Sequence, residues 1–335
     1  MKYLSLLFLA VLLISCQTTP TEEVTTVPSN TDFELQTEVN PELEYKNLRL
    51  YPVLAESSFA AANRMAANLS NLEEGMANER FRVTEKKPYG RFDDAGAVNN
   101  LTIQNKSQDT VFLMAGDVVQ GGKQDRVIAQ DMVVPPRTIT DIQVFCVERG
   151  RWTYQDEEQE VDDQVAANNK KVYAFTGYYN VASHDIRKTV KGSRDQEAVW
   201  QKVGEVTALN NATNSTSAYT GLEKSEDFTN ERDAYLRFFA DKMVDQDNVV
   251  GLVAVSGNQI LGADIFGHPN LFKKQYQALL HSYITEAITN GSEVKVDQQM
   301  VQDYAQELKV NFQESDLGSD AKSGFGEAMI HFTDL

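Results

Sequence analysis

The sequence predicts an α+β fold, with an antiparallel, β-rich and sandwich-like N-terminal lobe and a C-terminal lobe that mixes helices with a β-hairpin. Short runs rich in Val, Ile, Thr and Phe, broken by polar turns, occupy residues 46–155. Apolar residues at helical spacing dominate residues 170–335. The sequence contains no internal repeat and no linker-like segment between the two halves, so we predict one domain over residues 46–335.

The first residues have the pattern of a bacterial lipoprotein signal peptide. Lys2 precedes an apolar run from Leu4 to Ile14, which is too short to span a bilayer. The run ends in Leu-Ile-Ser-Cys, so we predict that residues 1–15 are removed and that Cys16 carries lipid, palmitate included. An ordinary secretory signal is the alternative. Because several acyl chains anchor a protein stably, we expect a cell-envelope protein bound to a membrane.

Residues 16–45 form a stretch rich in Thr, Pro and Glu with little apolar periodicity, which is typical of an extended tether. The expected membrane is the bacterial outer membrane, on its periplasmic or its surface face. The net charge of −18 disfavours nucleic acid and anionic lipid as broad-surface partners, since both require a basic face. The charge does not exclude a small, local anion site.

The β-rich lobe begins with a partly alternating strand over residues 45–54, followed by a short helix over residues 71–79 and a strand with the sequence RFRVTE. Further short apolar runs fill residues 99–152. One of them, ITDIQVFCV, contains Cys146 and has no nearby histidine that could activate a thiol. We therefore predict that Cys146 is buried and structural.

The second lobe reads as helices that surround a hairpin. Ser193 and Gln196 have the spacing of a capping box before a helix that buries Val199, Val203 and Val206. Further helices are predicted over residues 231–244, 269–290 and 297–308. Two strands, over residues 249–255 and 260–266, flank a turn in which Gly257 can take a positive φ. The segment GEAMIHF predicts a final strand.

The stretch AGDVVQGGKQDRV, residues 115–127, places two glycines beside cations. A phosphate-binding P-loop requires a different glycine-to-lysine spacing, then Ser or Thr where Gln124 stands, and then a helix. The residues that follow are strand-like, so a hairpin with Gly121 and Gly122 at the bend fits better. Lys123 and Gln124 are then either solvated turn residues or, with Arg126 and backbone N–H groups, part of an anion site.

A second polar cluster, Glu148 to Trp152, follows the Cys146 strand. Arg151 can hold a carboxylate or phosphate through two hydrogen bonds, and Trp152 can stack on a base or sugar. The alternative is a salt-bridged strand end with a tryptophan in the core. The candidate ligand-binding residues are Lys123, Gln124, Arg126, Glu148, Arg151 and Trp152. We expect the two clusters to approach each other, with Arg126 near Glu148 and Arg151.

Motifs of established chemistry are missing from the sequence. None of the four histidines is spaced as a helical metal pair, and there is no Cys-x-x-Cys and no Gly-x-Ser-x-Gly motif. We therefore expect neither a metal nor a cofactor, and no catalytic residue can be chosen. A carboxylate pair is not ruled out, but nothing in the sequence selects one.

Two strings carry a resemblance to a known family: AGDVVQGGKQDRVI and VFCVERGRW. The matching residues are Gly116, Gly121, Gly122, Lys123, Gln124, Arg126 and Val127, then Cys146, Val147, Glu148, Gly150, Arg151 and Trp152. They resemble the domain named for its association with ADP-ribosylglycohydrolases and rhodanese-phosphatases, a domain of unknown function. Weaker similarity continues through DIRKTV, QEAVW and VVGLVAVSGNQILGADIFGHPNLF. The resemblance extends roughly from Leu48 to Phe332, and it implies an association with such enzymes rather than a particular activity.

Together these observations predict a lipid-anchored envelope protein whose α+β domain binds a ligand or a partner. The expected partners are the membrane, reached through the lipid on Cys16, and either a small anionic ligand or an envelope protein. A hydrolase acting on a phosphate- or sugar-containing, nucleotide-like substrate is the first alternative, and a structural scaffold is the second. A hydrolase should place a base within reach of a nucleophile or water, whereas a binding module needs only a pocket with suitable side chains.

Overall fold

A computed structural model describes residues 32–85, 99–151, 174–315 and 328–335. Cys16, most of the predicted tether and Trp152 lie outside these ranges. The fold is α+β, as predicted, and every pair of neighbouring strands in its three sheets is antiparallel. No helix within the described ranges is long and apolar enough to cross a membrane.

The strands form two six-stranded sheets and one small two-stranded sheet. In chain order they are β1 (Phe33–Leu35), β2 (Glu44–Tyr45), β3 (Leu48–Ala55), β4 (Phe81–Glu85), β5 (Asn100–Asn105), β6 (Val111–Leu113), β7 (Asp117–Gly121), β8 (Arg126–Ile128), β9 (Met132–Val134), β10 (Thr138–Cys146), β11 (Phe175–Val181), β12 (Val249–Ser256), β13 (Gln259–Phe266) and β14 (His331–Asp334).

The helices lie between and after the strands. They are α1 (Ser57–Ala62), α2 (Leu72–Ala77), α3 (His184–Gly192), α4 (Gln196–Leu209), α5 (Glu226–Phe239), α6 (Pro269–Thr289) and α7 (Gln298–Glu314). Short 3-10 turns cover Pro41–Leu43, Arg64–Asn68 and Tyr219–Lys224. The helix of residues 71–79, the hairpin at Gly257 and the long helix that starts at Pro269 therefore form close to their predicted positions.

The first large sheet has the strand order β1-β3-β12-β13-β14, with β2 beside β3. Every residue of β12 is buried because both faces of the strand are covered. Leu252 and Ala254 share a core with α6, whereas Val253 and Val255 share another with α7. This alternation follows from the two-residue period of a strand, and it makes the sheet the middle layer between two helices.

The second large sheet has the order β11-β7-β8-β10-β5-β4. Val118 and Val127 face the core formed with α3 and α4, and the neighbouring Val119 and Ile128 face the core on the opposite side. In the sequence, helix α3 directly follows β11 of the second sheet and precedes β12 of the first sheet. Its side chains contact both, so this helix positions the charged groups described below.

The folded part begins earlier than the predicted residue 46, because β1 and β2 pair with β3 and Phe33, Leu35 and Leu43 are buried.

The predicted cap of α4 is wrong. Asp195, not Ser193, caps α4, because the Asp195 side chain accepts a hydrogen bond from Ala198 N at 2.8 Å. Arg194 has a left-handed backbone with φ of 50°, which ends α3 and turns the chain before Asp195. Ser193 instead donates its hydroxyl to Thr189 O at the end of α3, and Gln196 hydrogen-bonds the backbone N–H and C=O of Cys146.

Candidate functional site

The two-glycine stretch forms a β-hairpin. Strands β7 and β8 pair antiparallel on either side of it, and Gly121 and Gly122 have φ values of +117° and +53°. An added Cβ at Gly122 would lie 2.7 Å from Glu85 Oε1 and 2.8 Å from the Phe175 ring. Both glycines are therefore required by backbone conformation and close packing. A strand follows the turn, so the helix N-terminus of a P-loop is lacking at this position.

The sequence-predicted cations meet in a dense ion-pair network beside this turn. Arg151 contacts Glu148 Oε2 at 2.6 Å and Asp125 Oδ1 at 3.1 Å, and it donates to the Gly122 carbonyl at 2.7 Å. Arg126 pairs with Glu85 Oε1 at 3.3 Å. The same Glu85 oxygen accepts from the backbone N–H of Lys123 at 3.0 Å.

The carboxylates of this network also hold the turn itself. Glu148 accepts from Asp125 N at 3.1 Å, and Asp125 accepts from Gly121 N at 3.0 Å and from the Thr220 hydroxyl at 2.8 Å. Burial raises the pKa of Asp125, although these hydrogen bonds oppose the shift. The guanidinium groups of the network are thus matched by carboxylates of the protein, which is the arrangement expected of a salt-bridged strand end.

Five of the six predicted ligand-binding residues therefore lie together, and Trp152 lies outside the described residues. Gln124 and Arg126 have side chains closed off from solvent, and Glu148 is nearly so. A ligand role for this cluster stays a prediction. Cys146, at the end of β10, is buried, as predicted, and burial raises the pKa of its thiol.

A second charged network, not foreseen from the sequence, centres on Asp264 of β13. Arg187 of α3 donates to both Asp264 oxygens, at 2.5 and 3.0 Å, and the Tyr283 hydroxyl donates to one of them at 2.6 Å. His331 of β14 lies between two carboxylates, with Nε2 at 3.0 Å from Asp264 and Nδ1 at 2.7 Å from Asp131. The network therefore ties β13 and β14 of the first sheet to α3, α6 and the β8–β9 connection.

The protonation states follow from these contacts. Burial disfavours a charged imidazole, but Asp131 and Asp264 outweigh it and raise the pKa of His331 to about 9. Burial likewise disfavours a charged Asp264, yet Arg187 and His331 hold the pKa of that carboxyl well below its usual range. At neutral pH His331 is an imidazolium with both N–H groups engaged. It cannot act as a general base in this arrangement.

A cavity of about 280 Å³ borders this network between α3, the β8–β9 connection and β14. Three cations from one stretch of chain line it: Arg187 in the wall, and Lys191 and Arg194 at the exposed end of α3. Lys191 donates to the backbone carbonyl of Thr333 at 2.6 Å. Arg187 Nε is buried and has no hydrogen-bond partner within the described part of the chain.

Gly116 shapes the cavity wall. Its φ is +103°, and a Cβ added there would lie 2.8 Å from Arg187 Cγ and 3.0 Å from Arg187 Nε. Only glycine lets the Arg187 side chain pass the β6–β7 connection toward Asp264. Asp131 completes the opposite wall, where one of its oxygens accepts from Ala115 N at 2.7 Å. The cavity is therefore small, has well-packed walls, and is lined by more positive than negative side chains.

Sequence reasoning missed the ion-pair network beside this cavity because its residues come from four distant segments. Asp131, Arg187, Asp264 and His331 share no motif or spacing, and only the pairing of β13 with β14 and the packing of α3 bring them together. One signal was present: Arg187 lies in DIRKTV, a string included in the family resemblance.

The described residues form a mixed α+β domain that contains the two ion-pair networks above and a small cavity lined by cations. The chain belongs to the ARPP-1 family, the ARG and Rhodanese-Phosphatase-superfamily-associated Protein domain, which matches residues 36–330. The resemblance expected from the two glycine- and arginine-containing strings is thereby confirmed. The association with ADP-ribosylglycohydrolases and rhodanese-phosphatases leaves the specificity of the domain open. Comparisons with curated proteins and with solved structures give no match.

Proposed function

We propose that the protein is a ligand-binding module that holds a small anionic molecule in the cavity beside His331, on a domain anchored to the cell envelope by lipid. The observation that carries the binding proposal is the side-by-side placement of Arg187, Lys191 and Arg194 around one cavity. The volume of about 280 Å³ lies near the lower limit of typical small-molecule pockets, roughly 300–1,000 Å³. A compact phosphate- or carboxylate-bearing ligand fits both the volume and the charge.

The charges support an anion rather than a cation. Asp264 and Asp131 are paired with Arg187 and His331, and Lys191 and Arg194 add positive charge at the cavity mouth. Guanidinium groups bind phosphate and carboxylate through paired hydrogen bonds, and the buried Arg187 Nε adds one N–H in the wall.

Hydrolysis is less well supported than binding. A hydrolase needs an unengaged base beside a nucleophile or a water molecule. His331 is the histidine of the cavity, and both of its nitrogens are held by carboxylates. The carboxylate of Asp131 also lines the cavity, but one of its oxygens is held by Ala115 N and the other by His331.

Calorimetric titration tests the binding proposal. The probes are inorganic phosphate, ribose 5-phosphate and ADP-ribose, each added to wild-type protein and to Arg194→Ala. Loss of a charge-assisted contact of roughly 1.5–3 kcal/mol predicts affinity about 10-fold to 100-fold weaker in the variant. Lys188→Ala is the matched control, because Lys188 is an exposed cation of α3 that does not line the cavity. No binding of any probe to wild-type protein, or equal affinity in Arg194→Ala, would refute the proposal.

The anchoring proposal rests on the short apolar run that ends in Leu-Ile-Ser-Cys at Cys16. Membrane fractionation of bacteria expressing the full chain tests it. Wild-type protein should sediment with membranes and incorporate labelled palmitate. Cys16→Ala should lose the label and either appear in the soluble fraction or accumulate as the larger precursor. Retention of both label and membrane association in Cys16→Ala contradicts lipidation at this residue.

A further inference from the structure

Three ionisable side chains outside the cavity converge beside the first turn of α3. His184 and Asp185 begin that helix, and Glu286 extends toward them from the C-terminal half of α6. One potential ligand atom of each residue lies within 4.8 Å of those of the other two. The Arg187–Asp264 network uses none of these three side chains.

Two of the three side chains in this cluster, those of His184 and Glu286, have buried polar atoms without partners in the described part of the chain. His184 and Glu286 are each only 4% exposed. Neither ring nitrogen of His184, nor Glu286 Oε2, has a hydrogen-bond partner among the described residues. His184 Nδ1 lies 3.5 Å from Asp185 Oδ1, too far for a good hydrogen bond. Buried polar groups are nearly always paired, so an unpaired ring nitrogen of His184 close to an unpaired carboxylate oxygen of Glu286 indicates a missing ligand.

We propose that His184, Asp185 and Glu286 form a binding site for a divalent transition-metal ion, of the class of Zn²⁺ or Mn²⁺. An imidazole nitrogen with two carboxylate oxygens is a donor set that suits such ions better than Ca²⁺ or Mg²⁺, which prefer oxygen alone. Bonds of roughly 2.0–2.2 Å put neighbouring donors about 3.4 Å apart, so atoms that now lie within 4.8 Å of one another would move closer when an ion binds.

The residues around this cluster give it negative charge and contact with solvent. Two carboxylates outweigh the partial positive charge at the first turn of α3. Asp185 is partly exposed, with 27% of its side chain accessible, so the cluster reaches solvent on that side. Glu286 Oε1 accepts from Asn290 Nδ2 at 2.8 Å, which orients the carboxylate and leaves Oε2 for the ion. Lys202 Nζ, 3.3 Å from Asp185 Oδ2, is the competing cation.

Calorimetric titration of chelator-stripped protein with Zn²⁺ and with Mn²⁺ tests the site. Wild-type protein should bind one ion, and Glu286→Gln should weaken the affinity at least tenfold while circular dichroism shows an unchanged fold. Glu205→Gln is the matched control, since Glu205 contacts the same Lys202 but lies outside the cluster. Lys202→Met should bind more tightly than wild type, because the competing ammonium is gone. A merely structural ion pair would not produce this gain.

A second measurement does not depend on any variant. Paramagnetic Mn²⁺, added to wild-type protein, should broaden the ring resonances of His184 before those of His268 and His281. First broadening of another histidine would overturn the assignment of the ligands. No saturable binding to wild-type protein, or equal binding by Glu286→Gln, would overturn the proposal as a whole. Failure of anion binding in the cavity would leave this result unaffected, since the two sites share no residue.

Discussion

Loss of the His331 proton should make the domain less stable in alkaline solution. Its pKa rises from 6.5 to about 9 on folding because Asp131 and Asp264 stabilise the charged ring. At 1.36 kcal/mol for each pKa unit, this corresponds to about 3 kcal/mol of folding free energy. Because the folded-state pKa is the higher one, that contribution is complete below about pH 6.5. It is lost as the pH rises through about 9.

Urea denaturation of wild-type protein and of His331→Asn, at steps between pH 6 and pH 10, measures this effect. The difference in unfolding free energy between the two proteins isolates His331 from other groups that titrate in the same range. It should shrink by about 3 kcal/mol toward the alkaline end. A difference that does not change with pH would refute the reasoning.

The same pKa can be measured directly by NMR titration of the histidine rings in wild-type protein. His331 should titrate near pH 9, well apart from His281, whose pKa burial lowers to about 4. This measurement holds even if His331→Asn folds poorly. A midpoint near 6.5 for His331 would mean that the two carboxylates do not hold the proton.

Three further predictions follow from buried contacts. Gly116→Ala should destabilise the protein by roughly 1–3 kcal/mol, because the φ of +103° and the Arg187 side chain exclude a Cβ. The control is Gly204→Ala in the middle of α4, which has open space around it and should not destabilise the protein. Arg151→Lys should cost roughly 1.5–3 kcal/mol in urea denaturation, whereas Arg149→Lys, at an exposed pair, should cost under about 0.5 kcal/mol. A thiol reagent should label Cys146 slowly in native protein and readily in urea; rapid native labelling would contradict its burial.

Much of the fold could be predicted because local signals, such as turn glycines, helix-starting prolines and apolar spacing, agree with the final structure. Pro269 and the apolar spacing after it mark α6, and Gly257 supplies the positive φ of the β12–β13 turn. Ser193 shows where local reasoning fails. Ser193 and Asp195 are both good caps, and the left-handed conformation of Arg194, which sequence spacing does not reveal, decides between them.

The charged sites were predictable only where their residues lie close together in the chain. Arg126, Glu148 and Arg151 come from adjacent strands of one hairpin-rich region, so their approach could be anticipated. The partners of His331 come from the β8–β9 connection and from β13, and no periodicity links them to it. For the same reason, the approach of Glu286 to His184 could not be predicted, because no sequence pattern links two residues about a hundred positions apart.

The pairing of β3 with β12 has a consequence for how the chain is made. Strand β3 is among the first folded segments to leave the ribosome, yet its neighbour in the sheet is synthesised almost two hundred residues later. Strand β14, which supplies His331, is the last element of all. The complete first sheet and the ion pairs around Asp264 can therefore form only after these late segments have been synthesised. Contacts this distant in sequence slow folding. Strand β3 can pair with β1 and β2 early, but its edge toward β12 stays open until that later strand has been made.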